Sequence, residues 1–139
     1  MLLLIGRYIA GENDMRIVPL SRDNKDFYRL MGPVFGSRTI AKEIGIHAYD
    51  DQDKEWFVLM DGCVIYGCAS LRGGLISDCY VKPAHRGQGY FSAILKRVLM
   101  EPVPVFRATC TPASVTAFLS AGFNVVGKTK NFTRVMKNA

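Results

Sequence analysis

The sequence has no apolar run long enough to span a bilayer, no low-complexity tract, no internal repeat and no run of five like charges. The apolar opening, Met1 to Ile5, falls far short of the roughly 20 residues a membrane helix needs, and no basic stretch precedes it. Neither a membrane span nor a secretory leader is expected. Histidine is scarce, with only His47 and His85, and none of the four cysteines (Cys63, Cys68, Cys79, Cys110) forms a C-x-x-C pair. A zinc site is therefore not expected. Each cysteine sits among apolar neighbours, which points to buried free thiols in a reducing compartment and hence to a cytoplasmic protein.

What is present suits one globular domain. The chain has 139 residues, 49% of them apolar and 22% charged. At this length it can bury roughly two-thirds of its unfolded surface and needs no metal or disulfide to fold. The formal charge of +6 favours an anionic partner, although a merely soluble basic surface has the same composition. Residues 1–14 stand apart as an N-terminal extension of undecided role, and the domain proper is expected over 15–139.

The elements follow from periodicity. "MRIVPL" (15–20) reads as a strand. Ser21 or Asp23 can cap a helix over 24–36, on which Phe27, Leu30 and Met31 share a face, with Gly32-Pro33 weakening or ending it. Thr39 begins a shorter helix through Ile44. Three strands come next, 55–60, 63–71 and 75–81, joined by Asp61-Gly62 and Gly73-Gly74; such dipeptides between apolar runs signal hairpins. Trp56 and Phe57 alternate on the first of these, so one faces the core and the other a cleft or the underside of a helix. From Gly89 the period changes: Phe91, Ile94, Leu95, Val98 and Leu99 form one helical stripe. "VFRATC" (105–110) is a further strand. A helix over 112–122 follows, with Thr111 as cap and Gly122 as stop, and then two closing strands. The whole predicts an α+β protein: a mixed, mainly antiparallel sheet flanked by helices, with one parallel crossover between about 75 and 110.

One stretch carries chemistry. In "VKPAHRGQGYFS" a strand hands over to a helix through Arg86-Gly87-Gln88-Gly89. A helix start presents unpaired N–H groups and a partial positive charge. Glycines let an anion approach that backbone, and Arg86 adds a guanidinium, so the segment makes a physically sensible diphosphate cradle. It is neither a Walker A loop, lacking G-K-[ST], nor a dinucleotide fingerprint, lacking the third glycine. A purely structural turn would look the same.

"LISDCYVKPAHRGQGYFSAILKRVL" (75–99) resembles the central motif of the GCN5-related N-acetyltransferase (GNAT) family, Q/R-x-x-G-x-G/A after a strand ending V-x-P. "TPASVTAFLSAGFNVVGK" (111–128) is similar to that family's later helix and its Gly-Phe exit. The resemblance covers 15–139 and implies a GNAT-like acyltransferase fold. Acetyl-CoA is the implied co-substrate, an amine of a small molecule, a peptide or protein, or a nucleic acid the implied acceptor, and a monomer or homodimer the implied state. Arg86 takes the Q/R place, Gly89 the first glycine and Phe91 the last Gly/Ala, so the Phe91 side chain must point away from the diphosphate. Gly87, Gln88 and Tyr90 complete the loop. The resemblance assigns the pantetheine arm to the backbone of Cys79, Tyr80 and Val81.

Attack by an amine requires a base, and Asp78 is the candidate, in an otherwise apolar strand where burial would raise its pKa. Its alternative is a carboxylate on a solvated face or paired to a nearby arginine; Glu55 is a second, weaker choice. The tyrosine that many family members carry on the late helix is here Phe118, which cannot donate a proton and is expected to pack. Tyr80, Tyr90 or a water can stand in for it. His85 is expected as an exposed loop residue and His47 on the surface. Cys110 has no base in reach to make it a nucleophile. A non-catalytic CoA-binding module on the same fold is the competing reading.

Overall fold

The computed structural model describes residues 15–21, 23–25, 27–40, 53–62 and 64–139. The expected extension (1–14), His47, Cys63 and most of the short helix after Thr39 lie outside the described residues; a helical turn is present at 38–40.

Seven strands form one sheet: β1 (Met15–Leu20), β2 (Glu55–Asp61), β3 (Val64–Arg72), β4 (Leu75–Val81), β5 (Val105–Cys110), β6 (Asn124–Lys128) and β7 (Thr133–Asn138). Their order in space is β1-β2-β3-β4-β5-β7-β6. The first four form an antiparallel meander, and the Gly62, Gly73 and Gly74 φ angles are positive at its turns, as the sequence predicts. β4 and β5 are parallel and are joined by the crossover helix α2 (Tyr90–Val98). The remaining helices are α1 (Phe27–Phe35) and α3 (Val115–Ser120), and a 3-10 turn covers Pro83–His85.

Both faces of the sheet are covered. On one, Ile94, Leu95 and Val98 of α2 and Phe118 of α3 bury Phe57, Leu59, Ile76 and Phe106. On the other, Phe27, Met31 and Val34 of α1 bury Trp56, Val58, Met60 and Tyr80. Of the two places expected for the second of Trp56 and Phe57, the underside of a helix is the one found: Phe57 lies in the α2 core and Trp56 beneath α1, both fully buried.

Two helix boundaries differ from the sequence pattern. α1 starts at Phe27, after a turn in which Asn24 accepts the Ser21 N–H through Oδ1 (2.6 Å) and the Phe27 N–H through its carbonyl (3.1 Å). Pro33 does not end α1, which runs to Phe35. Proline removes one backbone donor, and burial of Phe27, Met31 and Val34 holds the helix across the gap. α3 begins at Val115 rather than Pro112, because Thr111–Ser114 form a separate turn closed by the Ser114 N–H to the Thr111 carbonyl (3.1 Å).

Candidate active site

The sheet is split where the crossover leaves it. β4 and β5 pair only at Leu75 with Arg107 and at Ile76 with Ala108. Beyond those residues β5 continues along β7, β4 continues along β3, and the two part. The wedge opens toward the start of α2.

A cavity of about 370 Å3 fills this region. Its walls are the end of β4 (Cys79, Tyr80, Val81), the loop and first turn of α2 (His85, Arg86, Gly87, Gly89, Tyr90, Phe91, Ser92) and the turn into α3 (Thr111, Ala113, Ser114, Ala117). Cys79, Tyr80, Val81, Arg86, Gly87, Gly89, Tyr90 and Phe91, the residues expected around the co-substrate, thus share one cavity with His85, while Gln88 and Asp78 do not line it.

The loop conformation accounts for its glycines. Gly87 and Gly89 have φ of 78° and 81°, a region costly for any residue with a Cβ. No atom lies within 4 Å of where a Cβ would stand at either position, so the demand is conformational and the space before the backbone is open. Gly89 caps α2, whose first N–H groups have no partner within the helix. The Arg86 Nε donates to the Val81 carbonyl (2.7 Å), and its guanidinium lies 5.7 Å from the Tyr80 ring centre. The loop is thereby tied to the end of β4.

Phe91 lines the cavity and also packs inward. It is half-buried, with its ring 5.6 Å from Phe118, which in turn meets Phe123 edge-on at 5.1 Å. Phe118 is 2% exposed and packs, as expected. His85 departs from expectation: it is half-buried and stacks on Tyr66, ring centres 3.9 Å apart at 7°. Tyr66 gave no signal in the sequence beyond strand alternation.

Asp78 is neither on a solvated face nor paired to an arginine. It is 4% exposed and forms an ion pair with Lys54, Nζ to Oδ2 at 2.9 Å. The same oxygen accepts the Ser70 hydroxyl (2.7 Å) and the Ser77 hydroxyl (3.4 Å). Oδ1 is buried and has no hydrogen-bond partner among the described residues. A β-bulge creates this arrangement. Cys68 pairs with Tyr80 and Ser70 with Ser77, so β4 carries one residue more than β3 between those pairs. Asp78 has φ of 54°, unusual for a residue with a side chain. The irregularity lets Ser77 and Asp78 both reach Ser70 on the α1 side, while Cys79 packs with the α2 core. Lys54 was not anticipated: a lysine just ahead of a strand ordinarily lies in water. Its ammonium stands 5.3 Å from the Trp56 ring centre.

The other titratable groups are set by their surroundings. Burial raises the Cys68 thiol to about 12, and the Asp78 charge adds to the rise. Cys79 is pushed up further by burial and by the charges of Cys68, Asp78 and Cys110. Burial lifts Cys110 to about 11, against a hydrogen bond from Ser114. Glu55 is also raised, by burial first and then by Glu101, with Arg97 opposing. It stands among those two residues and does not line the cavity. No metal-binding cluster exists among the described residues.

No protein-family model matches the sequence, and no curated protein matches it. Solved structures do match. An acetyltransferase from Thermus thermophilus superposes with a TM-score of 0.67 at 20% identity, covering 90% of this chain and 97% of that one. A GNAT family acetyltransferase from Elizabethkingia anophelis with acetyl-CoA bound gives 0.62 at 12% identity, covering 93% of this chain and 100% of the other. The fold is the GNAT acetyltransferase fold. A third match, mutant forms of the Vibrio cholerae spermidine/spermine N-acetyltransferase SpeG, gives 0.64 at 13% identity, with 89% and 93% coverage. The expected α+β class, a mainly antiparallel sheet flanked by helices, is thus that of the GNAT fold. Among the described residues no helix is long and apolar enough to cross a membrane.

Proposed function

We propose that this chain is an acetyl-CoA-dependent N-acetyltransferase acting on a primary amine in a ternary complex. The observation that carries the reading is the continuous wall from the glycine loop at α2 to Cys79, at the one place where β4 and β5 part. The diphosphate fits the open space before Gly87 and Gly89, where helix N–H groups and a basic loop favour an anion. The arm fits the β4 edge at Cys79, Tyr80 and Val81, which β5 no longer covers. Its acyl end then lies at the bulge, beside Asp78. The bound co-substrate supplies an activated acetyl group and a good leaving thiolate.

The roles of the chain's own residues follow. Arg86, through Val81, holds the loop against the strand. Asp78 takes the proton the acceptor amine must shed, and Ser70, Ser77 and Lys54 fix its carboxylate. Phe118 supplies no proton. Tyr80 and Tyr90 both line the cavity, and either of them, or a water, would assist the departing sulfur. The acceptor amine is of a class shared with the spermidine/spermine enzyme on this fold.

The second reading, a CoA-binding module without turnover, draws on the buried phenyl ring of Phe118. One experiment separates the two. CoA and acetyl-CoA should raise the melting temperature under either reading. Release of free CoA thiol with an amine panel occurs only for the enzyme, and Asp78→Asn should slow it about a hundredfold or more. No thermal response to CoA would end both.

A further inference from the structure

We propose that Lys54 is itself an acetyl acceptor: the chain transfers an acetyl group from acetyl-CoA in the cleft to the Nζ of its own Lys54. The proposal rests on reading the cleft as an acetyl-CoA site and adds a modification site to it. A reactive amine in such an enzyme must stand beside the base and within reach of the thioester. Lys54 is 8% exposed, and its Nζ lies 2.9 Å from Asp78, the proposed base. Cys79, the next residue along β4, lines the cleft. The bulge at Asp78 is therefore met by the cleft through Cys79 on one side and by the Lys54 ammonium on the other. Ser70 and Ser77 hold the carboxylate that the ammonium contacts. Lys54 does not itself line the cavity, so its four-carbon stem must swing across the bulge to bring Nζ to the thioester.

The step balances. Nζ gives one proton to the Asp78 carboxylate along the existing contact, and its lone pair attacks the thioester carbonyl carbon. The C–N bond forms and the C–S bond breaks. The second proton lost from nitrogen ends on the CoA sulfur, and Asp78 later releases its proton to solvent. The products are acetyl-lysine and CoA thiol. The modified side chain has no charge, so Asp78 loses its counter-ion, and the acetylated chain should melt at a lower temperature.

The test incubates the full chain with isotope-labelled acetyl-CoA and no added amine, followed by intact mass and peptide mapping. Chemical acetylation by the thioester alone favours exposed lysines such as Lys96 and Lys128. The proposal expects the reverse: Lys54 labelled at least about tenfold faster than either, with excess CoA suppressing it and Asp78→Asn slowing it by a similar factor. Ser70→Ala, which removes a donor without unpairing a charge, should also slow labelling, and Lys54→Arg should abolish it while keeping the ion pair. If acetyl-CoA raises the melting temperature but Lys54 stays unlabelled, or is labelled no faster than Lys96, the proposal is overturned and the cleft reading stands. If neither CoA nor acetyl-CoA shifts melting, the cleft reading fails and takes the proposal with it.

Discussion

At the scale of single residues, groups that only pack stand close to groups suited to chemistry. Phe118 belongs to the first kind. Its ring closes a row from Phe91 to Phe123, and the sequence already signals this, because a phenyl ring in that helical position has nothing to do but pack. Phe118→Ala should cost about 3–5 kcal/mol in urea unfolding, the ordinary toll for deleting a buried aromatic. Cys79 is half-buried on the cavity wall, with its thiol held well above the usual range by burial first and by neighbouring charge. A thiol kept neutral is a poor nucleophile. Alkylation of Cys79 by iodoacetamide at pH 8 should be slow compared with a free cysteine, and slower again with CoA present; fast alkylation would contradict the burial. Asp78 shows what sequence does not display. Its identity and strand are legible, but its partners are not, because Lys54 and Ser70 lie 24 and 8 residues away and meet it only through tertiary pairing.

At the scale of elements, the turns are the most legible part. Asp61-Gly62 and Gly73-Gly74 join strands because local backbone preference and apolar alternation on both sides agree. Arg86–Gly89 is legible for the same reason: positive φ at Gly87 and Gly89 is a local demand that the residue types answer. Gly89→Ala should therefore destabilise by about 1–2 kcal/mol through backbone conformation alone. It should also weaken CoA binding, since the loop would shift to relieve the strain; titration calorimetry reads the second effect and thermal melting the first. Gly67 poses a different demand. A Cβ there would stand 2.6 Å from the Tyr80 carbonyl oxygen, so Gly67→Ala should push β4 away from β3 at the cavity wall. Loss of CoA affinity without loss of helix α2, followed by circular dichroism, is the expected signature. The β4 bulge and the passage of α1 through Pro33 were not legible. Both break a local rule, and what sustains them is the tertiary burial around them.

At the scale of the whole molecule, the order β5-β7-β6 and the opening between β4 and β5 depend on which strand each hairpin joins, which no local pattern states. The two covered faces have one global consequence for pH. Cys68 and Cys110 are buried and carry thiols raised from an ordinary 9.0 to about 12 and about 11, and Cys79 is raised still more. In the folded chain these thiols stay protonated where unfolded thiols have already ionised. Below about pH 9 both states bind the proton, and the raised values cost nothing. As pH climbs past the unfolded value, the unfolded state alone sheds protons, and stability falls until the folded thiols ionise as well. The melting temperature should accordingly hold steady from neutral pH to about 9 and decline beyond it. Lysines and tyrosines also titrate on the alkaline side, so the decisive measurement is a difference. Cys68→Ala lowers melting by a cavity effect that does not vary with pH, yet it removes one of the raised thiols. Its melting temperature should fall less steeply than that of the unmodified chain between pH 9 and about 10.5. Parallel slopes for the two proteins would mean that the Cys68 thiol is not shielded by the sheet and α1 in the way its burial requires.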